Sequence, residues 1–290
     1  MKLILLLFSS FLFGEIDQIH FAFSNDPIDV VIPCTPKDTN TLEPCIQGIK
    51  ENGKNIRRII VLSKEKMTDS AEWFDENLYP FSMEAVAHEI FQGNEGAANQ
   101  FLSHPKTRIG WIFQQILKLY APFVIPDISP NVLVLDSDVV FLNSTEFMTK
   151  EGEPYFAYGD EYFSAYFDHA KKLIPGHKKV YPDKSGIVHH MLLQRPILED
   201  MFQIISQAHK TEPWKAICRC INHEELFQSC MSEYEIYFNF ALLRTPQARL
   251  RELKWTNIHT LQYCRAYKLQ RYNYVACHTW LREIYGRRPF

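Results

Sequence analysis

The first half of the chain alternates short apolar runs with amphipathic segments. Residues 28–33 (IDVVIP) and 57–63 (RRIIVLS) are β-branched runs of strand length. Between them, residues 39–50 repeat apolar side chains at helical spacing. A strand, a helix and a strand in about 35 residues form a βαβ unit, whose right-handed crossover places both strands in one parallel sheet. The pattern therefore predicts an α/β fold with a mainly parallel sheet flanked by helices.

The middle of the chain contains a second amphipathic segment and a long apolar run. Residues 109–120 (IGWIFQQILKLY) place apolar side chains on one wide helical stripe, and Pro122 and Pro126 are expected to end that helix. Residues 131–142 (NVLVLDSDVVFL) predict one fully buried strand that carries acids. Weaker signals predict a strand or packed loop near 72–81, strands at 155–158 and 187–193, and helices at 197–208 and 233–243.

The beginning of the chain differs from the rest. Met1 and Lys2 precede the apolar run Leu3–Gly14, a pattern typical of a secretory signal. We interpret residues 1–23 as a leader and residues 24–290 as a single domain, because no Pro/Gly/Ser-rich linker divides them. If the leader is used, the protein is secreted, periplasmic or in the secretory lumen. If it is not used, the protein is cytoplasmic. Membrane contact stays open in both cases.

Composition and charge exclude several classes of protein. Apolar residues make up 46% and charged residues 22% of the chain, which is globular and not disordered composition. The net charge is -3, too balanced for a protein that binds nucleic acid along its length. The positive charge is concentrated in residues 244–290, which hold ten Lys/Arg and two Asp/Glu. The motifs of serine hydrolases, P-loop proteins and dinucleotide-binding proteins do not occur in the sequence.

Asp136 and Asp138 give the strongest chemical signal. They interrupt the apolar run at 131–142, and open α/β sheets bind ligands beyond the carboxyl ends of their strands. Two carboxylates two residues apart point the same way on an extended backbone, so they can share one divalent cation. Burying both acids would be costly without a cation or strong hydrogen bonds. The sequence therefore predicts a Mn²⁺ or Mg²⁺ site at this D-x-D motif.

Several of these segments together resemble a known family. The strand at 31–38 (VIPCTPKD), the βαβ spacing, the helix at 110–121 (GWIFQQILKLYA) and the run at 132–142 look like a GT-A glycosyltransferase. They are most similar to little-characterised bacterial nucleotide-sugar transferase-like proteins with a W-x-x-Q-Q-x-x-K-L helix before the D-x-D. The resemblance covers about residues 28–282. It implies a nucleotide-diphospho-sugar transferase fold and a hexosyltransferase-like enzyme whose sugar stays open.

The resemblance also implies ligands and their binding residues. The donor is a UDP- or GDP-type sugar whose diphosphate is bridged by Mn²⁺ or Mg²⁺, and the acceptor is a hydroxyl of a glycan, a lipid or another molecule. We expect Asp138 to bind the ion directly, Asp136 to bind the ion's water or the donor ribose, and His278 to be a third metal ligand. The remaining donor-binding candidates follow the first strand or share a helix turn; they are Thr35, Lys37, Asp38, Gln115 and Lys118.

The acceptor side and the catalytic base are predicted in the second half. Adjacent residues of a strand face opposite ways, so only one of His189 and His190 can reach the pocket, and we expect it to be His190. Inverting GT-A enzymes use a carboxylate base, commonly on a helix in this region, which makes Glu233 or Glu235 the candidate. The start of a helix, with its serine cap and its dipole, accounts structurally for one acidic residue but not for both. We prefer Glu235 as the base.

Two other functions fit parts of the sequence. A phosphatase of the haloacid-dehalogenase type also places D-x-D after a buried strand, but normally near the N-terminus, whereas 135 residues precede the motif here. A non-catalytic, secreted GT-A-like protein that binds a glycan or a protein partner is the other alternative. The leader favours it, because bacterial nucleotide sugars are cytoplasmic.

Overall fold

The computed structural model describes residues 16–286, which form ten strands and ten α-helices. The strands are β1 (Ile28–Pro33), β2 (Ile56–Ser63), β3 (Glu72–Asp75), β4 (Asn131–Leu135), β5 (Val139–Phe141), β6 (Tyr155–Phe156), β7 (His190–Gln194), β8 (Arg249–Leu250), β9 (Trp255–Asn257) and β10 (Tyr274–Ala276). The α-helices are α1 (Thr39–Asn52), α2 (Met83–Ile90), α3 (Glu95–Ser103), α4 (Ile109–Val124), α5 (Ser164–Leu173), α6 (Arg195–His209), α7 (Pro213–Arg219), α8 (Glu233–Arg244), α9 (Cys264–Leu269) and α10 (Thr279–Gly286).

The central sheet has the strand order β3-β2-β1-β4-β7. Its first four strands are parallel, and β7 runs antiparallel to β4. The sequence prediction of an α/β fold with a mainly parallel sheet flanked by helices is confirmed. The β1-α1-β2 segment forms the predicted parallel pair, in which Val31 lies beside Ile60 on one side and beside Val134 on the other.

Alternate residues along the strands point to opposite faces of the sheet, and the two faces pack into two separate hydrophobic cores. The row that contains Val31 packs with α2, α4, α6 and α8. The neighbouring row, which contains Val30 and Leu133, packs with α1 and with the small sheet β5-β10-β9. Both faces of the parallel strands are therefore covered, which explains why β1 and β4 are continuous apolar runs and do not alternate with polar residues.

The long apolar run at 131–142 is two strands in two sheets, so the prediction of a single strand is wrong. Strand β4 ends at Leu135, and β5 begins at Val139 and pairs with β10. Between them the Val139 amide donates to the Asp136 carbonyl at 3.2 Å, which closes a turn. Both runs are buried and apolar, and only their different hydrogen-bonding partners separate them.

Helix α4 continues through Pro122 to Val124, two residues beyond the proline that was expected to end it. A proline lacks the amide that bonds to the carbonyl four residues earlier. In the last turn of a helix this loss affects a single bond. The Pro122 carbonyl, in turn, accepts a hydrogen bond from the Arg195 guanidinium at the start of α6.

Part of the predicted leader contacts the body of the protein. Residues 1–15 lie outside the described residues, and the leader interpretation stays a prediction. The Ile19 amide donates to the Arg244 carbonyl at 2.7 Å, and the Phe21 amide donates to the Gln247 side chain at 2.7 Å. Phe21 and Phe23 also pack against the larger core. Within residues 16–286, no helix has the length and apolar character needed to cross a bilayer.

Candidate functional site

A cavity of about 470 Å³ lies where the carboxyl ends of β1 and β4 meet. In α/β sheets the ends of neighbouring parallel strands share one edge, which is where ligands bind. The loop after β1, the α4 helix, the turn after β4, and the starts of α8 and α10 each contribute side chains to the wall. Eight of the predicted site residues line this cavity: Lys37, Asp38, Gln115, Lys118, Asp136, Asp138, Glu233 and His278.

Lys118 is the centre of a buried charge network in the wall of the cavity. Its ammonium donates to Asp136 Oδ1 at 2.5 Å, to Glu233 Oε1 at 2.8 Å and to the Tyr234 hydroxyl at 3.1 Å. A lysine ammonium has three protons, so these bonds use all of them. The side chain is 3% exposed, and the Tyr234 hydroxyl itself donates to Asp136 Oδ1 at 3.1 Å. Lys118 therefore holds the neighbouring acids in place and has no donor left for a bound phosphate.

The network favours the ionised form of Asp136. Burial alone would raise the pKa of this carboxyl, but Lys118 and His189 together outweigh that effect and hold the pKa below its usual value. The second oxygen, Oδ2, lies 3.6 Å from His189 Nδ1. The pKa of Glu233 shifts in the opposite direction. Burial raises this pKa, and the Lys118 ammonium offsets the increase only in part.

Asp138 and His278 form the second polar pair of the cavity. His278 Nδ1 lies 2.9 Å from Asp138 Oδ2. Burial alone would lower the pKa of His278, but the bond to Asp138 outweighs it and raises the pKa. The other oxygen, Asp138 Oδ1, is buried and has no hydrogen-bond partner. Buried carboxylate oxygens are normally paired, so this atom has the free lone pairs that a cation requires.

The two aspartates of the D-x-D motif and the two histidines of the cavity lie near one another without forming a complete metal shell. The rings of His189 and His278 have centroids 4.6 Å apart, and each lies beside one aspartate of the D-x-D. In the part of the chain that the structure describes, no three His, Cys, Asp or Glu side chains are arranged as the ligands of one ion.

The two candidate glutamates lie in different surroundings. Glu233 lines the cavity, and its amide donates to Gln115 Oε1 at 3.0 Å, so Gln115 caps the start of α8. Glu235 is 0% exposed and does not line the cavity. It accepts hydrogen bonds from the Ser185 hydroxyl at 2.5 Å and from Asn239 Nδ2 at 2.7 Å. This placement reverses the preference for Glu235, because its carboxylate is enclosed by partners from its own chain.

The structure also corrects the choice between the two histidines. His189 lines the cavity, whereas the His190 ring does not and is buried against Phe141 and Tyr274. Only one of the two histidines reaches the site, as expected. The wrong one was chosen because His189 has a φ of 65°, a left-handed conformation just before β7 that the sequence does not reveal.

The loop after β1 joins the site to the end of the chain. Asp38 Oδ1 accepts hydrogen bonds from the Thr279 hydroxyl at 2.7 Å and from Arg282 at 2.8 Å. Thr35 lies on a second cavity of about 850 Å³, which shares Lys37 and Trp111 with the first. Lys37 is exposed at the boundary between the two cavities.

Two contributors to the site were missed from the sequence. Tyr234 lies between the two candidate glutamates, and its ring centroid is 4.4 Å from the Lys118 ammonium. An aromatic residue at the start of a helix gives no functional signal by itself. Thr279 binds Asp38, and its position directly after His278 is the signal by which it could have been found.

Comparisons with known proteins give a family and matches among the solved structures. A family model described as a family of unknown function, DUF6492, matches residues 28–269. No curated protein matches the chain. The crystal structure of mouse xyloside xylosyltransferase 1 in its apo form aligns with a TM-score of 0.42 and 12% sequence identity, covering 88% of this chain and 98% of that chain.

Proposed function

The chain belongs to the DUF6492 family, whose function is unknown, and we propose that it is a metal-dependent glycosyltransferase. In this proposal it moves a sugar from a nucleotide-diphosphate donor to an acceptor hydroxyl. The observation that carries the proposal is the buried and unpaired Asp138 Oδ1, which follows a central parallel strand and lies at a cavity of about 470 Å³.

The donor set of the cavity fits a divalent cation that is bound mainly by its substrate. Mg²⁺ and similar ions commonly use one or two protein carboxylates and fill their other positions with phosphate oxygens and water. Asp138 would supply Oδ1, and Asp136 would supply Oδ2, which carries no bond from Lys118. His278 would orient Asp138 through its 2.9 Å contact with Oδ2, as outer partners of metal ligands commonly do.

The second cavity suits the rest of the donor. It extends from Thr35 along the ends of β1 and β2, and Met67 and Phe113 form an apolar part of its wall. A nucleobase has a flat apolar face and polar edges, and such a mixed pocket matches it. Lys37 lies on both cavities and forms no ion pair with any described residue. We therefore assign it, and not Lys118, to the diphosphate.

The proposed reaction uses Glu233 as the general base. Glu233 accepts the proton of the acceptor hydroxyl, the acceptor oxygen bonds to the anomeric carbon, and the bond from that carbon to the diphosphate breaks. The electron pair of that bond leaves with the nucleoside diphosphate. When bound, a divalent cation neutralises the charge that develops on this leaving group. The raised pKa of Glu233 suits proton transfer, because a base is most effective when its pKa approaches the working pH.

Nucleotide binding with and without Mn²⁺ tests the proposal. We expect UDP or GDP to bind the parent protein more tightly with Mn²⁺, and Asp138→Asn to lose that increase. Asp168→Asn is the control, because Asp168 is exposed on α5 and should leave binding unchanged. Equal affinities of the parent and Asp138→Asn in Mn²⁺ would contradict the metal assignment. Metal-dependent binding without release of sugar from any nucleotide sugar would instead identify a binding protein, and phosphate release from a phosphoester would identify the phosphatase.

A matched pair of variants tests the base. Glu233→Gln keeps the shape and removes the charge, so we expect turnover to fall by about 10² to 10⁴ with nucleotide affinity little changed. Glu235→Gln should keep turnover near the parental rate, because Glu235 is enclosed by Ser185 and Asn239. Near-parental turnover of Glu233→Gln would remove this residue from the mechanism.

A further inference from the structure

The segment 261–271 is an exposed basic surface with apolar tips. It contains Arg265, Lys268 and Arg271 and no acidic residue, and all three cations are exposed. None of them forms an ion pair with a residue in the described range 16–286. Leu269, between two of the cations, is 77% exposed, the highest fraction among the exposed large apolar side chains of the described residues. Isolated surface leucines are common, but one surrounded by unpaired cations is an unusual combination.

Helix α10 exposes two more large apolar side chains. Trp280 is 56% exposed and Ile284 is 52% exposed, and residues four apart lie on the same face of a helix. Both segments are joined to β10, since Cys264 packs against the small core around Val275 and α10 begins three residues after β10 ends. We call residues 261–271 together with Trp280 and Ile284 the C-terminal face.

We propose that the C-terminal face docks on an anionic membrane surface. Basic residues near such a surface are attracted to its headgroups, and Trp, Leu and Ile side chains enter the boundary between headgroups and acyl chains. The face contains both kinds of group, in a chain whose net charge is -3. A nucleic acid would use the cations but would leave Leu269 and Ile284 in water, so a bilayer matches the composition of the face better.

Docking in this way sets the orientation of the protein. Trp280 is exposed on the C-terminal face and also lines the cavity of about 470 Å³. A bound membrane would therefore lie at the mouth of that cavity. The proposal does not depend on the transfer reaction proposed above, because it is based on surface charge and exposure alone.

Sedimentation of the full chain with vesicles tests the proposal. We expect it to bind vesicles of phosphatidylcholine mixed with phosphatidylglycerol, to bind vesicles of phosphatidylcholine alone much more weakly, and to lose binding as salt is raised. Arg265→Glu with Lys268→Glu should lower the partition coefficient by about tenfold or more. Leu269→Ser, which leaves the charge unchanged, should lower it by about threefold or more.

Two controls separate this face from the rest of the chain. Lys106→Glu with Lys171→Glu makes the same change in charge at exposed positions elsewhere, and Leu78→Ser replaces another leucine that is 65% exposed. Both should bind like the parent. Parental binding by the Arg265/Lys268 variant would overturn the proposal, since another part of the chain would then carry the interaction. The proposal would also be overturned if the charge variant lost vesicle binding while Leu269→Ser kept it. That result would favour a soluble polyanion as the ligand.

Discussion

Replacing Lys118 with methionine should strongly destabilise the fold. The ammonium is the shared partner of Asp136 and Glu233, and methionine keeps most of the side-chain volume while removing the charge. The perturbation therefore leaves packing nearly intact and deprives two carboxylates of their counter-ion. It isolates the electrostatic role of Lys118 from its role in filling space.

The size of the effect follows from the burial of the two acids. The Glu233 side chain is 5% exposed and cannot recover its hydration, whereas the Asp136 side chain is 25% exposed and keeps the Tyr234 bond. Removing one partner of a buried ion pair typically costs about 3–5 kcal/mol, because the other charge stays buried and unpaired. Glu233 should account for most of this cost. The loss is a large fraction of the about 5–15 kcal/mol by which domains are stable.

Urea unfolding measures the free energy of unfolding of each variant. Glu233→Gln added to Lys118→Met removes the unpaired carboxylate, so the double variant should recover about 2 kcal/mol relative to Lys118→Met. Lys37→Met is the control, since Lys37 is exposed at the same cavity and should cost less than about 0.5 kcal/mol. A Lys118→Met protein within about 1 kcal/mol of the parent would refute the account of this network.

Two further predictions concern a buried histidine and the space around two glycines. His177 donates to the Ile236 carbonyl, and burial lowers its pKa from 6.5 to about 4, so its stabilising contribution is complete above pH 6.5 and is lost as the pH falls towards 4. The stability of the parent relative to His177→Gln should therefore fall by about 3 kcal/mol between pH 7 and pH 4, and a constant difference in urea unfolding would contradict the burial argument. In Gly186→Ala the new Cβ would lie 2.6 Å from the Phe238 Cβ, which should cost about 1–3 kcal/mol. Gly110→Ala, whose Cβ meets nothing nearer than 4.0 Å inside α4, should stabilise the protein by about 0.5–1 kcal/mol, and equal melting temperatures for the two variants would contradict the packing argument.

Local patterns in the sequence were sufficient to predict the main elements of the fold. The runs that became β1 and β2, and the helical repeat that became α1, were recognised with boundaries within two residues. Each pattern depends only on side chains close together in sequence, and the rule for βαβ crossovers then supplies the parallel pairing. The D-x-D motif was also placed correctly at the edge of the sheet, because ligand sites follow strand ends.

The partners of the buried charges were decided by the tertiary structure alone. Lys118 and Glu233 are 115 positions apart, and Asp138 and His278 are 140 positions apart. No local pattern shows that the Lys118 ammonium donates all three of its protons to other side chains of the protein. Nor does one show that Glu235 is enclosed by Ser185 and Asn239. The physical reason is that a buried charge must find a partner, and folding determines which groups come within reach.

The same dependence on distant contacts explains two wrong predictions, the single strand at 131–142 and the choice of His190 over His189. Apolar runs identify burial, but whether 131–142 is one strand or two depends on which backbones pair with it, and β5 pairs with β10, from the far end of the chain. A single left-handed residue, His189, determines which ring reaches the cavity. The sequence by itself determined the main elements of the first half, the class of fold and the position of the two acids after a buried strand. Only the tertiary structure decided which side chains face one another there, because hydrogen bonds and burial link residues that are distant in sequence.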